Sequence, residues 1–267
     1  MPRDPLAPES LDMDLLQRLV PWMDRACRLW YRLDVQGMDQ LPEGPALIVG
    51  NHNSGTSFYE ALGVGARMYR ERGDTEVMHG LAHDQVVDAP ILGDLMVRLG
   101  TLRASHEAAQ KAFALGRKLW VFPGGSNEAF RSWSRRKEVD LGGRRGFIKL
   151  ALRSGVPIVP VAFHGGQSGF VVLREGRRIA KFIGADRWLR NDTWPLMLAL
   201  PWGVALGPVP HLPLPVKCRA RFMPPIFLDQ YGPEDADNPE VLDEIFAQVQ
   251  ASLQAGVDTL GGPLADR

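Results

Sequence analysis

The sequence predicts an α/β protein: a single domain with a mostly parallel central sheet flanked by helices. Three observations carry this. Short uncharged runs such as Ala46-Leu47-Ile48-Val49-Gly50 end in glycine, as buried parallel strands do. Stretches of helical period alternate with such runs as far as Phe163. The 267 residues are 45% hydrophobic and 23% charged, and no linker, repeat or low-complexity tract divides them.

In chain order, residues 11–33 read as a helix with Ser10 as its N-cap. Two apolar stripes run along it at helical spacing. One is Leu15, Leu19, Trp22, Ala26, Leu29 and Leu33; the other is Leu16, Val20, Met23, Cys27 and Trp30. Arg18, Arg25, Arg28 and Arg32 accompany them, and Pro21 should bend or restart the helix. So wide an apolar face suits a helix packed on the core and equally one dipping into a lipid interface; both readings stand at this point. Residues 46–50 are a buried strand and residues 58–70 a helix. Residues 76–79 are expected as a strand, 89–99 as a helix and 101–103 as a short strand. Ser105 should cap a helix over 105–115, and the strand 118–122 is stopped by Pro123-Gly124-Gly125. Residues 144–153 form a helix closed by Gly155, followed by the strand 157–163. Beyond it, 171–173 and 179–183 suggest a hairpin around Gly176, 219–223 an edge strand and 239–253 a polar-faced helix.

Composition narrows the function classes. Lys+Arg and Asp+Glu both number 31, so the formal net charge is zero. Together with the 45% hydrophobic content, that excludes a disordered chain, and it argues against a nucleic-acid binder held by a basic surplus. The two cysteines, Cys27 and Cys218, lack metal or redox spacing and are expected as buried thiols in a reducing compartment. The first ten residues carry no signal-peptide pattern. The most apolar stretch, 194–209, is interrupted by Pro195, Pro201 and Pro208, so it is not a spanning helix.

Two segments can carry chemistry. In Gly50-Asn51-His52-Asn53-Ser54-Gly55-Thr56-Ser57-Phe58-Tyr59-Glu60, a histidine sits just past a buried strand, where open α/β sheets place their ligand crevice. A neutral imidazole there can take a proton near neutral pH, and Glu60 is the nearest carboxylate to fix its tautomer. The other reading is a loop histidine capping the helix. In Trp120-Val121-Phe122-Pro123-Gly124-Gly125-Ser126-Asn127-Glu128, a strand runs into a tight turn able to bring backbone amides to an oxyanion or phosphate; an ordinary Pro-Gly turn reads the same way. His79 and His83 stand four apart, but Gly80 occupies the place of the base in His-Glu-x-x-His, and no metal site is expected. No Gly-x-Ser-x-Gly elbow follows His164-Gly165-Gly166, which disfavours a serine hydrolase.

These residues resemble the blocks of the glycerolipid acyltransferase superfamily, typified by bacterial 1-acylglycerol-3-phosphate acyltransferases. The branch similar to monoacylglycerol and diacylglycerol acyltransferases fits best. Asn51-His52 opens the first block, and Leu99-Gly100-Thr101-Leu102-Arg103 resembles the second. Phe122-Pro123-Gly124-Gly125 resembles the third and Val156-Pro157-Ile158-Val159-Pro160-Val161 the fourth. Residues 140–147 resemble the stretch that precedes the fourth block in that branch. The sequence departs from the family at three points. Ser57 stands where the usual aspartate follows the histidine, and Glu60 fits a version with the acid further along. Gly124 replaces a glutamate and Asn127 an arginine, and the loss of that cation favours a neutral or differently charged alcohol over a phosphate-bearing acceptor.

The resemblance implies an O-acyltransferase that moves a fatty acyl group from acyl-CoA or acyl-carrier protein to a hydroxyl of a lipid or hydrophobic alcohol. No cofactor or metal is implied beyond the thioester co-substrate. His52 would be the base and Glu60 its partner. Asn51, Ser57, Arg103, Gly124, Gly125, Ser126, Glu128 and Arg145 would contact substrate, with Gly124-Gly125 supplying oxyanion donors. Residues 1–36 would be an N-terminal amphipathic helical segment, 37–258 the acyltransferase domain and 259–267 a frayed end. The chain would work peripherally at the cytoplasmic face of a membrane, docking through residues 11–33 and 194–215. Ser57, Gly124 and Asn127 also motivate an alternative of another class, a catalytically silent lipid-binding or scaffold protein on the same fold.

Overall fold

The computed structural model describes residues 3–57, 59–73, 77–188 and 191–262. Phe58 and Glu76, expected at the starts of a helix and a strand, lie outside them, as do residues 263–267 of the expected frayed end. The strands are β1 (Asp34–Gln36), β2 (Leu47–Gly50), β3 (Met78–Ala82), β4 (Thr101–Arg103), β5 (Lys118–Val121), β6 (Ile158–His164), β7 (Val171–Arg174), β8 (Leu196–Ala199), β9 (Gly203–Leu206) and β10 (Arg219–Phe222). The helices are α1 (Met13–Trp30), α2 (Tyr59–Arg72), α3 (Asp84–Val87), α4 (Leu92–Arg98), α5 (His106–Ala114), α6 (Gly125–Ala129), α7 (Gly146–Ser154), α8 (Arg177–Phe182), α9 (Ala185–Trp188) and α10 (Pro239–Leu260).

Seven strands form the central sheet in the order β1-β10-β6-β2-β5-β3-β4. Every neighbouring pair is parallel except β10 with β6. Side chains alternate between its two covered faces, as the pleat requires. Leu47 and Val49 of β2 pack with Leu119 among residues of α5, α7 and α10. Ala46 and Ile48 pack on the opposite side with Val64, Met68, Trp120 and Phe222. A smaller antiparallel sheet, β7-β8-β9, rests on Phe130 and Phe170.

Four expectations are corrected. Residues 179–183 do not return as a hairpin strand: Gly176, in the left-handed region at φ 65°, opens α8, and β7 pairs with β8 instead. β10 is not an edge strand, because β1 covers its outer side. Helix α10 continues to Leu260, whose side chain is buried, so the chain is still packed where fraying was expected to begin. Helix α1 starts later, capped by Asp12, whose carboxylate accepts the Leu15 amide at 3.0 Å, and it runs through Pro21 without interruption.

Helix α1 divides its two apolar stripes between two environments. Leu16 and Val20 are buried against Ala66 and Val77. Buried Asp24 fastens the helix to α2 through Arg70 and also faces Arg28 and Arg67. Trp22 and Leu29, on the other stripe, are 72% and 71% exposed.

Candidate active site

The segment between β2 and α2 is held from beneath before it holds anything itself. Asn51 clasps β6: its side-chain amide donates to the Phe163 carbonyl at 3.0 Å and its oxygen accepts the Phe163 amide at 2.7 Å. This fixes the chain one residue before His52. The His52 backbone amide then donates to Glu128 Oε2 at 2.9 Å. Asn53 accepts the Tyr59 hydroxyl at 2.8 Å, which ties the segment to the first turn of α2.

Within this frame His52 Nδ1 lies 3.1 Å from Glu60 Oε2. The second Glu60 oxygen accepts the Asn53 amide at 2.6 Å, and the Ser54 hydroxyl donates to Oε2. Glu60 is therefore a buried carboxylate with both oxygens held, and it can accept the Nδ1 proton. That tautomer leaves the basic lone pair on Nε2. Burial pushes the imidazole pKa down, but the charge of Glu60 and its hydrogen bond outweigh this, and the net pKa lies above the ordinary value. Ser57, in the position where the resemblance places an aspartate, donates its hydroxyl to the Ser54 carbonyl at 2.9 Å and so serves the turn.

His52 opens on a cavity of about 760 Å³ at the carboxyl ends of β2, β3 and β5. Val20 and Met23 of α1, Tyr69 of α2, and Phe122, Phe130 and Phe147 supply much of its apolar wall. Gly125 and Ser126 also line it. The Ser126 hydroxyl oxygen is buried and finds no hydrogen-bond partner among the described residues.

The other expected site residues separate into two groups. Glu128 does not contact the cavity. It is fully buried, accepts the His52 and Asp140 amides at 2.9 and 3.0 Å, and faces Arg131 at 3.3 Å. Its role is to support the histidine segment, and Gly124 has no side chain because a Cβ there would lie 2.3 Å from Glu128. Gly125 reaches the cavity, but its amide is committed to the Phe122 carbonyl at 3.1 Å, so it is not an oxyanion donor in this geometry. Arg103 and Arg145 lie outside the cavity lining. Arg103 pairs with Asp84 and Asp88, and Arg145 pairs with Asp243 beside the Phe246 ring.

The cation that does reach the cavity is Arg144, which donates to the Pro123 carbonyl at 2.9 Å and pairs with Asp192 at 3.3 Å. It follows Gly142 and Gly143, both in the left-handed region. His79 and His83 do not share a helix face: His79 sits in β3 with Nδ1 3.1 Å from the Gly100 carbonyl, and His83 caps α3. Among the described residues no cluster of three His, Cys, Asp or Glu side chains is placed to hold a metal.

Fold and site together define a class, an α/β protein whose carboxylate-backed histidine opens into an apolar cavity at the carboxyl end of a parallel sheet. The Acyltransferase family matches residues 32–164, and the chain belongs to the glycerolipid acyltransferase superfamily. An uncharacterized protein of Mycobacterium tuberculosis is 30% identical over 226 residues, covering 84% of this chain and 60% of that protein. The mouse "DGAT1/2-independent enzyme synthesizing storage lipids" is 29% identical over 161 residues, covering 60% of this chain and 47% of that protein. The chain thus spans about 60% of the length of the mycobacterial relatives and about half that of the mouse relative. The crystal structure of the 1-acyl-sn-glycerophosphate acyltransferase PlsC from Thermotoga maritima shares the fold, with a TM-score of 0.56 at 16% identity over 92% of this chain and 80% of that one.

Proposed function

We propose that the protein is an O-acyltransferase that carries a fatty acyl group from a thioester, acyl-CoA or acyl-carrier protein, to the hydroxyl of a lipid or hydrophobic alcohol. The observation that carries this is the His52–Glu60 pair, with His52 in the wall of the apolar cavity. His52 Nε2 takes the proton of the acceptor hydroxyl while its oxygen attacks the thioester carbonyl. The tetrahedral intermediate collapses, the C–S bond breaks, and the proton passes from His52 to the departing thiolate. An ester and a free thiol result, with no covalent enzyme intermediate. Glu60 holds the ring and balances the transient imidazolium. A positioned base of this kind supplies about 10²- to 10⁴-fold in rate.

Ser126 is the donor we assign to the reacting substrate, since the residue lines the cavity and its buried hydroxyl has no partner among the described residues. The acyl chain occupies the apolar part of the cavity. The acceptor is neutral: Asn127 stands where the resemblance places an arginine, and Arg144 is engaged by Asp192. Substrate and product are lipids, so the protein acts peripherally, at the cytoplasmic face of a membrane.

The test is direct. Purified protein is given labelled acyl-CoA, or acyl-carrier protein, with a panel of lipid and simple alcohols, and ester and free thiol are both quantified. Ester formation that disappears in His52→Ala supports the reading. Thioester binding with no turnover on any acceptor points to the silent lipid-binding alternative.

A further inference from the structure

Among the described residues that line the cavity, Arg144 is the only arginine, lysine, aspartate or glutamate. His52 therefore shares a largely apolar space with a single permanent charge. A guanidinium is the side chain best shaped to take a phosphate in two parallel hydrogen bonds. Alone, Arg144 would draw an anionic acceptor into the cavity. It is not alone. Its Nη1 donates to the Pro123 carbonyl at 2.9 Å, and its Nη2 lies 3.3 Å from Asp192 Oδ2. The guanidinium rests against Gly125, where a Cβ would lie 2.6 Å from Nη1.

Asp192 lies outside the cavity lining, but its neighbour Asn191 is part of it. The segment that carries the carboxylate is anchored on both sides. The Asn191 amide donates to the Ala185 carbonyl at 3.1 Å. The Asn191 side-chain oxygen accepts the amide and the hydroxyl of Thr193, both at 3.1 Å, and Thr193 is fully buried. A second donor reaches the same carboxylate oxygen: the side-chain amide of Asn127, at 3.5 Å. Asn127 stands where the resemblance places an arginine. In this chain that position helps to hold a carboxylate instead of adding a second cation.

The Arg144 and Asp192 side chains are 43% and 50% exposed, so their pairing adds little to stability. Its effect is on what the cavity accepts. An anion held by Arg144 would stand beside a fixed carboxylate, and like charges at that range repel strongly where water is scarce. A hydroxyl meets no such penalty. Discrimination of this kind comes from a repulsive element, not from a new attraction.

We infer that Asp192 is a specificity-determining residue: by neutralising Arg144 it closes the cavity to phosphate-bearing acceptors and leaves it to uncharged alcohols. The inference rests on the reading of the cavity as the acceptor site of an acyltransferase.

Calorimetric titration of the intact protein, with no thioester present, tests it without turnover. The two ligands are a short-chain monoacylglycerol and the monoacylglycerol phosphate of the same chain. Wild-type protein should prefer the uncharged ester. In Asp192→Asn the preference should shift toward the phosphate ester by about tenfold or more, and the shift should shrink as salt is raised. Asp192→Glu, which keeps the charge, should retain the wild-type preference. Adding Arg144→Met to Asp192→Asn should abolish the shift. A wild-type preference for the phosphate ester, an unchanged preference in Asp192→Asn, or a shift that persists without Arg144 would each overturn the proposal. Binding of neither ester by wild type would overturn it together with the reading on which it rests. The expected preferences, with no ester formed once a thioester is supplied, would support Asp192 in this role and defeat acyl transfer alone.

Discussion

The Thr56 hydroxyl oxygen lies 3.1 Å from Nδ1 of His211, which ties the segment carrying His52 to the segment that follows β9. The two also touch at Gly55, where a Cβ would lie 2.5 Å from the His211 ring. On its other side the His211 ring lies 4.5 Å, centroid to centroid, from Phe170. His211→Phe should keep that ring contact and lose the hydrogen bond. A bond of this type contributes about 1 kcal/mol, so kcat should fall about fivefold with KM little changed. A proportionate rise in KM instead would show that His211 acts on substrate binding.

The base itself gives a larger effect. His52→Ala should fold normally and lose about 10²-fold or more in transfer. Its raised pKa sets the pH profile: the neutral form is the base, so activity should climb with pH through a midpoint above the ordinary imidazole value of about 6.5. Turnover that stays flat from pH 5 to 8, a range chosen to span about one to two units around that value, would contradict the assignment.

Glu60→Gln removes the charge that raises His52, so the midpoint of the pH profile should move down while the maximum rate falls. Ser57→Ala should leave the midpoint where it is, because the Ser57 hydroxyl serves the Ser54 carbonyl. The comparison of midpoints separates an electrostatic partner from a residue that only holds the turn.

Glu128 and Arg131 form a fully buried ion pair beneath the site. Removing one partner of such a pair typically costs about 3–5 kcal/mol, because the other charge is left in a dry place. Arg131→Met should therefore lower the denaturation midpoint strongly. If it is as stable as wild type, Glu128 is held by its amide donors alone.

His79 should make the fold acid-sensitive. Burial depresses its pKa to about 4, against an ordinary value near 6.5. A depressed pKa means stability that is present above about pH 6.5 and lost as pH falls toward the folded value. The full difference corresponds to about 3 kcal/mol. His79→Gln, followed by urea denaturation between those two pH values, should flatten the dependence.

Much of this was legible in the sequence. The strand 46–50 followed by His52 and Glu60 needed only a buried run, a turn and an acid at the start of the next helix. Ser105 as a cap could be read in the same way, and its hydroxyl accepts the Ala108 amide at 3.1 Å. Glu128 was legible as an acid near a site but not in its role, because its partners, the His52 and Asp140 amides, are fixed by tertiary contact. Arg144 and Arg145 are neighbours of the same type, and only their tertiary partners, the Pro123 carbonyl for one and Asp243 for the other, separate cavity from surface. Segment 177–182 shows apolar and basic residues at a spacing that fits a strand or a short helix; it forms the helix α8 after left-handed Gly176, and β8 takes the place beside β7.

The position of β10 bears on how the chain is made. Strand β1, at residues 34–36, has β10, at residues 219–222, as its sheet partner, and β6 receives β10 on the side away from β2. Until residue 222 has left the ribosome, β6 is an open edge and β1 has no neighbour, although the His52 segment and most of the parallel strands have long since emerged. The sheet therefore closes last at β10, between two strands made long before it, and its completion depends on a pairing that spans most of the chain.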